Sequence, residues 1–221
     1  YNACEIARSM LTGSLAVGRV IARPFVGDEV NGYTRTARRH DFSILPPDKT
    51  LLDFLCKNGK KTIGVGKIYD IFAGQGIDET FKTANNSDGM QKTMEIAKTD
   101  FEGLCFVNLV DFDMVYGHRN DVDGYATAAT AFDVQLAQLL PLLKNDDILM
   151  ITADHGCDPA TPSTDHSREC VPLVVYGDKI KRGVNLGTLT SYADIAATLA
   201  DYFDINAEIK GKSFFDKIKN N

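Results

Sequence analysis

Three of the four histidines in this 221-residue chain stand beside aspartates in segments that follow apolar runs. Asp113 and His118 are spaced D-x-x-x-x-H in "DFDMVYGHRND", Asp154 and His155 are adjacent, and Asp165-His166 repeats the pair a dozen residues later. A mixed Asp/His set holds Mn²⁺ or Zn²⁺ while leaving positions open for a substrate. Adjacent Asp-His at a strand end can point its two side chains into neighbouring sites, so one loop can help to build two. The second pair is expected to fold back over the first, with His166 completing a two-metal cluster. Such a cluster clamps a phosphoryl oxygen and neutralises its charge. The predicted ligands are therefore Asp113, His118, Asp154, His155 and His166. A solitary loop carboxylate is more often a hydrogen-bonding or capping group than a ligand, and Asp111 and Asp165 are read that way.

A second set of residues suits phosphate. Arg19, Arg23, Arg35, Arg38 and Arg39 fall close together in a chain that is otherwise acidic. Arginine makes bidentate, charge-assisted bonds to phosphate oxygens, and Lys67, in "GVGK", can add a point charge. The glycines there match a phosphate loop only weakly, because the full G-x-x-x-x-G-K-[ST] pattern is absent. Any one of these arginines taken alone suits a solvated face. His40, flanked by arginines and far from the other histidines, is read as structural.

Elements able to position these groups follow from the apolar pattern. Helices are expected over "DKTLLDFLCKNG", closed by Gly59, and over "SDGMQKTMEIAKTD", capped by Ser87 or Asp88. Two more are expected over "VDGYATAATAFDVQLAQLLPLLK", ended or kinked at Pro141, and "TSYADIAATLADYF", opened by Thr190 or Ser191. "KTIGVG", "GLCFVNLV", "DDILMITA" and "VPLVVYG" read as strands, the apolar ones covered on both faces. Alternating strands and helices predict an α/β fold with a mostly parallel sheet flanked by helices. Ligands in such sheets bind beyond the carboxyl ends of the strands. Lys67, Asp111 with Asp113, and Asp154 with His155 all follow strands. Residues 1–45, basic and ended by Pro46-Pro47, form a separate compositional zone from 46–221.

The bulk numbers limit the alternatives. Hydrophobic residues make up 44% and charged residues 24%, as in ordinary globular domains. A net charge of −6 argues against nonspecific nucleic-acid binding. No apolar run approaches the roughly 18 residues that would suggest a membrane span. Five widely spaced cysteines with no C-x-x-C pair suit a reducing cytoplasm better than a disulfide framework. Cys157, beside the predicted ligands, is expected to pack rather than react. The chain opens at Tyr1 on "YNACEIARSM", which reads as the middle of a fold, so an N-terminal part is expected to be missing.

The segments "VGRVIARPFVG", "RTARRHDFSI", "GVGKIYDIFAGQGI", "NLVDFDMVYGHRND" and "ITADHGCDPATPSTDHSRECVPLVVYG" together resemble the phosphopentomutases of the alkaline phosphatase-like metalloenzyme superfamily. The resemblance covers essentially the whole chain. It implies interconversion of (deoxy)ribose 1-phosphate and 5-phosphate by two Mn²⁺ ions and a phosphothreonine, started by a sugar bisphosphate primer. It places Asp113, His118 and His166 on one metal, Asp154 and His155 on the other, and Arg19, Arg35 and Lys67 near the sugar phosphate. Residues 1–45 would be the end of an inserted cap domain, and 46–221 the C-terminal half of the core. The family's early metal-binding Asp and nucleophilic Thr have no counterpart here, so the chain alone is expected to be incomplete and inactive. The alternatives are a cofactor-independent phosphoglycerate mutase or related metallophosphatase, or a non-catalytic metal-binding module.

Overall fold

The computed structural model describes residues 1–36 and 38–220, with Arg35 described by its backbone alone. The chain begins with helix α1 (Asn2–Met10) and four short strands, β1 (Arg19–Ala22), β2 (Phe25–Asp28), β3 (Gly32–Arg35) and β4 (His40–Ser43). These form two nested antiparallel pairs, β2 with β3 inside β1 with β4. Gly27, at φ +119°, lets β2 pass the turn, because a Cβ there would lie 2.1 Å from the Gly32 carbonyl oxygen.

The alternation predicted for the rest of the chain is present. Helix α2 (Leu51–Lys57) is capped by Thr50, whose amide donates to Asp53 Oδ2 at 2.7 Å. Gly59, at φ +70°, follows its end, as expected. Strand β5 (Lys61–Val65) leads to the one-turn helix α3 (Ile68–Ile71), then β6 (Glu79–Phe81) and α4 (Asn86–Ala97). The α4 cap is Asn85, not Ser87 or Asp88: the Asn85 side chain accepts from the Asp88 amide at 2.9 Å. Asp88 instead accepts from the amide of Ala84, the residue before the cap, at 2.8 Å. Strand β7 (Gly103–Val107) ends earlier than its apolar run, and the chain tightens into a π-helical turn, Phe112–Tyr116, and a 3₁₀ turn, Gly117–Arg119. Helix α5 (Val122–Leu139) stops just before Pro141. Strands β8 (Leu149–Thr152) and β9 (Leu173–Tyr176) precede α6 (Ala193–Tyr202), where the Ser191 hydroxyl accepts from the Ala193 amide, and α7 (Phe215–Ile218).

The fold class is the expected one, mixed α/β with a parallel sheet flanked by helices. β5 pairs in parallel with β6 on one side and β7 on the other, Ile63 opposite Cys105 and Val65 opposite Val107. One expectation fails: β9 does not continue in parallel but runs antiparallel to β8, Ile151 opposite Val174. The physical reason lies in the connection. A parallel return needs a crossover, usually a helix. Here the 153–172 segment closes on itself, with the Ser167 amide donating to the Gly156 carbonyl at 3.0 Å. Strands β1–β4 and β6 and helices α1, α3 and α7 lie outside the sequence expectations.

The core is divided among clusters that brace the sheet. Leu51 and Leu55 of α2 pack with Leu199 and Ala200 of α6, and Ile63 and Val65 pack with Ile96 of α4. Ile180, Phe214 and Ile218 support β8 and β9. Residues 1–45 meet this body where β4 lies against α3, with Ser43 Oγ donating to the Asp70 carbonyl at 2.6 Å. Among the described residues, no helix is long and apolar enough to cross a membrane.

Two devices fix the strand ends. Gly66, at φ +79°, brings β5 against the end of β7: a Cβ there would lie 2.4 Å from the Asn108 carbonyl oxygen. Asp111 and Asn86 bond reciprocally, Asn86 N–H to Asp111 Oδ2 at 2.7 Å and Asp111 N–H to Asn86 Oδ1 at 2.9 Å. Asp111 thus ties the start of α4 to the segment that carries Asp113. Removing its carboxylate leaves the partly buried Asn86 N–H unpaired, while the backbone amide at 111 keeps its bond to Asn86 Oδ1. Asp111→Ala should lower the unfolding free energy by about 1–3 kcal/mol in urea titration. An unchanged midpoint would contradict the clamp.

Candidate metal centre

Asp113 lies in the π-helical turn after β7, His118 in the 3₁₀ turn that follows, and His166 in the loop between β8 and β9. Their ligand atoms lie within 4.8 Å of one another. Asp113 Oδ1 stands 3.2 Å from both His118 Nε2 and His166 Nε2. This oxygen is buried, yet it accepts no hydrogen bond, because neither close nitrogen is aligned to donate.

The imidazole tautomers sharpen the point. His118 Nδ1 lies 2.5 Å from the Thr164 carbonyl oxygen, which can only accept. The proton therefore belongs on Nδ1, and in the neutral ring Nε2 turns a lone pair toward Asp113. Donors that face one another without a proton between them suit a shared cation. Atoms 2.0–2.2 Å from one ion lie at most about 4.4 Å apart, so the 3.2 Å spacings fit.

His155 and Asp154 follow β8. The His155 ring stacks on His166 at 3.7 Å between centroids, and His118 stacks on the same ring at 5.0 Å. His155 Nδ1 lies 3.0 Å from the Gly156 carbonyl, which again leaves Nε2 as the free nitrogen. Asp154 is largely exposed, its Oδ1 3.6 Å from His155 Nε2. Among the described residues, no third Asp, Glu, His or Cys joins this pair to make a second cluster. The five predicted ligands thus form one compact triad and an adjoining pair.

Asp111 and Asp165 are not in the triad: Asp111 clamps Asn86, and the Asp165 amide donates to Ser163 Oγ at 3.1 Å. Cys157 packs against Gly117, and burial, then the charges of Asp113 and Asp158, push its thiol upward, which disfavours the thiolate.

The predicted phosphate-binding residues are placed as follows. Arg19 begins β1, and its Nη1 lies 3.4 Å from Asp41 Oδ2. Arg39 grips the same carboxylate twice, at 2.8 and 3.0 Å. Burial raises the Asp41 carboxyl, but the Arg39 hydrogen bond and the charges of Arg39, Arg19 and Lys67 outweigh it and hold it below the usual range. Lys67 stands at the start of α3, half-buried, with Nζ against Met114 Sδ. Burial and then the Arg39 charge lower its pKa, while Asp41 and Asp113 oppose them. Arg19 and Lys67 therefore share one charged neighbourhood beside the triad. Arg35 pairs with Phe25 through the backbone, and its side chain lies outside the described residues.

Sequence reasoning missed Asp41 and Asn120. Asn120 has φ +52°, and its side-chain amide donates to the carbonyls of Pro159, Thr161 and Ser163. Its only sequence signal is an Asn directly before a helix-capping Asp, a place where the left-handed conformation is tolerated.

A family model described as "Metalloenzyme superfamily" matches residues 53–207. A curated protein named phosphopentomutase from Lachnoclostridium phytofermentans is 57% identical over 217 residues, covering 98% of this chain and 55% of that protein. Those from Acetivibrio thermocellus and Carboxydothermus hydrogenoformans are 56% and 57% identical, each covering 99% of this chain and 56% of the relative. The chain spans about half the length of the curated relatives it matches.

The tight approach of the two metal-centre segments is testable at Gly117. A Cβ there would lie 2.2 Å from Cys157 Sγ. Gly117→Ala should cost about 1–3 kcal/mol of stability through overpacking. Adding Cys157→Ala should recover more than half of the loss in thermal melts. Equal losses in the single and double variants would place the strain elsewhere.

Proposed function

The chain belongs to the Metalloenzyme superfamily, and from that premise we propose that it carries the metal-binding part of a phosphopentomutase. The enzyme interconverts (deoxy)ribose 1-phosphate and 5-phosphate. The observation that carries the reading is the buried, unbonded Asp113 Oδ1 facing two imidazole nitrogens. The identity of 57% to a curated phosphopentomutase supports the substrate class.

Asp113, His118 and His166 would hold one Mn²⁺ in this reading, and Asp154 and His155 would contribute to a second. When bound, the cations neutralise developing charge on the transferring phosphoryl group. The residues of this chain do the positioning. Thr164 and Gly156 carbonyls fix the His118 and His155 rings through Nδ1 and leave Nε2 free. Arg19 and Lys67 bind the sugar phosphate, with Arg35 assigned to the same task from its motif. Residues 1–45 belong to a cap domain, and 46–221 to the core.

In this reading the phosphoryl carrier, a threonine first charged by a sugar bisphosphate primer, would lie outside this chain. Turnover by this chain alone is therefore not expected. We place the protein in the cytoplasm, a location that its five free cysteines suit, with no nucleic-acid or membrane partner.

A coupled assay for ribose 1-phosphate to ribose 5-phosphate, with Mn²⁺ and primer, tests this reading. The chain is assayed alone and joined to the unmatched portion of the Lachnoclostridium relative. The joined protein should turn over, the chain alone should not, and Asp113→Ala in the joined protein should cost at least about hundredfold. Full activity in that variant would refute the metal role, and turnover by the chain alone would refute its incompleteness.

A further inference from the structure

The triad draws its ligands from two segments far apart in sequence. Residues 112–119 carry Asp113 and His118, and the 157–166 loop carries His166. Among the described residues, the hydrogen bonds that join these segments come from two side chains only. His118 Nδ1 bonds the Thr164 carbonyl, and Asn120 donates to the carbonyls of Pro159, Thr161 and Ser163. One of the two is itself a ligand. Asn120 is the one that touches the loop without belonging to the triad.

Its backbone suits the task. The Asn120 amide closes the 3₁₀ turn on the Gly117 carbonyl at 3.1 Å, and the Asp121 amide returns to Tyr116 at 3.1 Å. Asp121 then caps α5 through the Gly124 amide at 2.9 Å. The left-handed residue is thus locked from both sides, and its side chain leaves a rigid base rather than a free loop. Three acceptors from alternate loop residues converge on one NH₂ group, which shares its two hydrogens among them. The carbonyl of Thr164, one residue beyond the last of them, orients His118, and His166 follows two residues later.

We propose that Asn120 is a positioning residue for the divalent-cation site. By gripping the 159–163 backbone, it sets the distance between His166 and the Asp113–His118 segment and keeps Thr164 in reach of His118 Nδ1. The proposal rests on the metal reading of those three side chains and assigns its affinity to a residue that never touches the ion. Partners that orient ligands typically govern metal affinity by about 10–100-fold.

The test is Mn²⁺ binding to the chain, read as the loss of the free-ion paramagnetic resonance signal. Asn120→Gly keeps the left-handed backbone and deletes the amide, while Asn120→Asp keeps the shape and the tolerance of φ +52° but removes the donors. Both should bind Mn²⁺ about 10–100-fold more weakly under conditions where metal-free melts show them still folded. The imidazole ¹⁵N spectrum should show His118 protonated on Nδ1 in the parent and mixed between tautomers in both variants. Parent-like affinity in the folded variants would overturn the proposal, as would a lowered melting temperature with unchanged affinity and tautomer. A parent chain that binds no Mn²⁺ would refute the metal reading itself, an outcome distinct from the first two.

Discussion

A buried carboxylate oxygen faces two imidazole nitrogens and accepts a hydrogen bond from neither. Much of the surrounding architecture follows from keeping that arrangement in place. An unpaired buried acceptor costs about 1–3 kcal/mol, and the unprotonated Nε2 of His118 close to it adds repulsion. A divalent cation turns the same geometry from a cost into a coordination shell. The fold accordingly invests in the approach of the strand ends. Gly66 lets β5 meet the end of β7, Asp111 clamps α4 to the next residues, and Gly117 leaves room for Cys157. Each device acts on backbone near the triad rather than on the triad itself, so the ligands inherit their positions from the sheet.

The charged neighbourhood beside the triad obeys a related logic. Arg19, Arg39 and Lys67 are three cations gathered around the carboxylate of Asp41. Asp41 offsets part of their mutual repulsion and orders Arg39 through a two-point contact. Asp70 also acts on Arg39 and Asp113 on Lys67, so the neighbourhood is a mixed cluster of cations and carboxylates that holds the cationic groups in place. Because β1 and β4 belong to the N-terminal hairpins and Lys67 to the parallel sheet, this neighbourhood also marks where the two parts of the chain meet.

The sequence was most readable where a single local signal decides the structure. Apolar runs located β5, β7, β8 and β9, and Gly59 and Pro141 marked helix ends. The rule that ligands gather beyond strand ends pointed to Lys67 and Asp113 after β5 and β7, and to Asp154-His155 after β8, which pairs with β9 in a separate two-stranded sheet. What stayed hidden depends on contacts between distant residues. β9 reads as one more parallel strand until the bridge from Ser167 to Gly156 shows that the connection turns back on itself. Asn85 rather than Ser87 caps α4, since neighbouring Asn, Ser and Asp compete at similar energies. Asn120 bonds carbonyls about forty residues away, and no pattern of residue types reveals which carbonyls a loop will present. Asp41 carries no distinguishing signal in the sequence, and strand pairing alone sets it near Arg19.

The central claim is that Asp113, His118 and His166 share one cation. Anomalous scattering from crystals of the chain grown with Mn²⁺, collected on both sides of the manganese edge, tests it directly. The account predicts a peak that disappears below the edge and lies about 2.0–2.2 Å from Asp113 Oδ1 and from Nε2 of both histidines. Manganese bound elsewhere with this triad empty, or a proton resolved between Asp113 and either imidazole in the metal-loaded crystal, would contradict it.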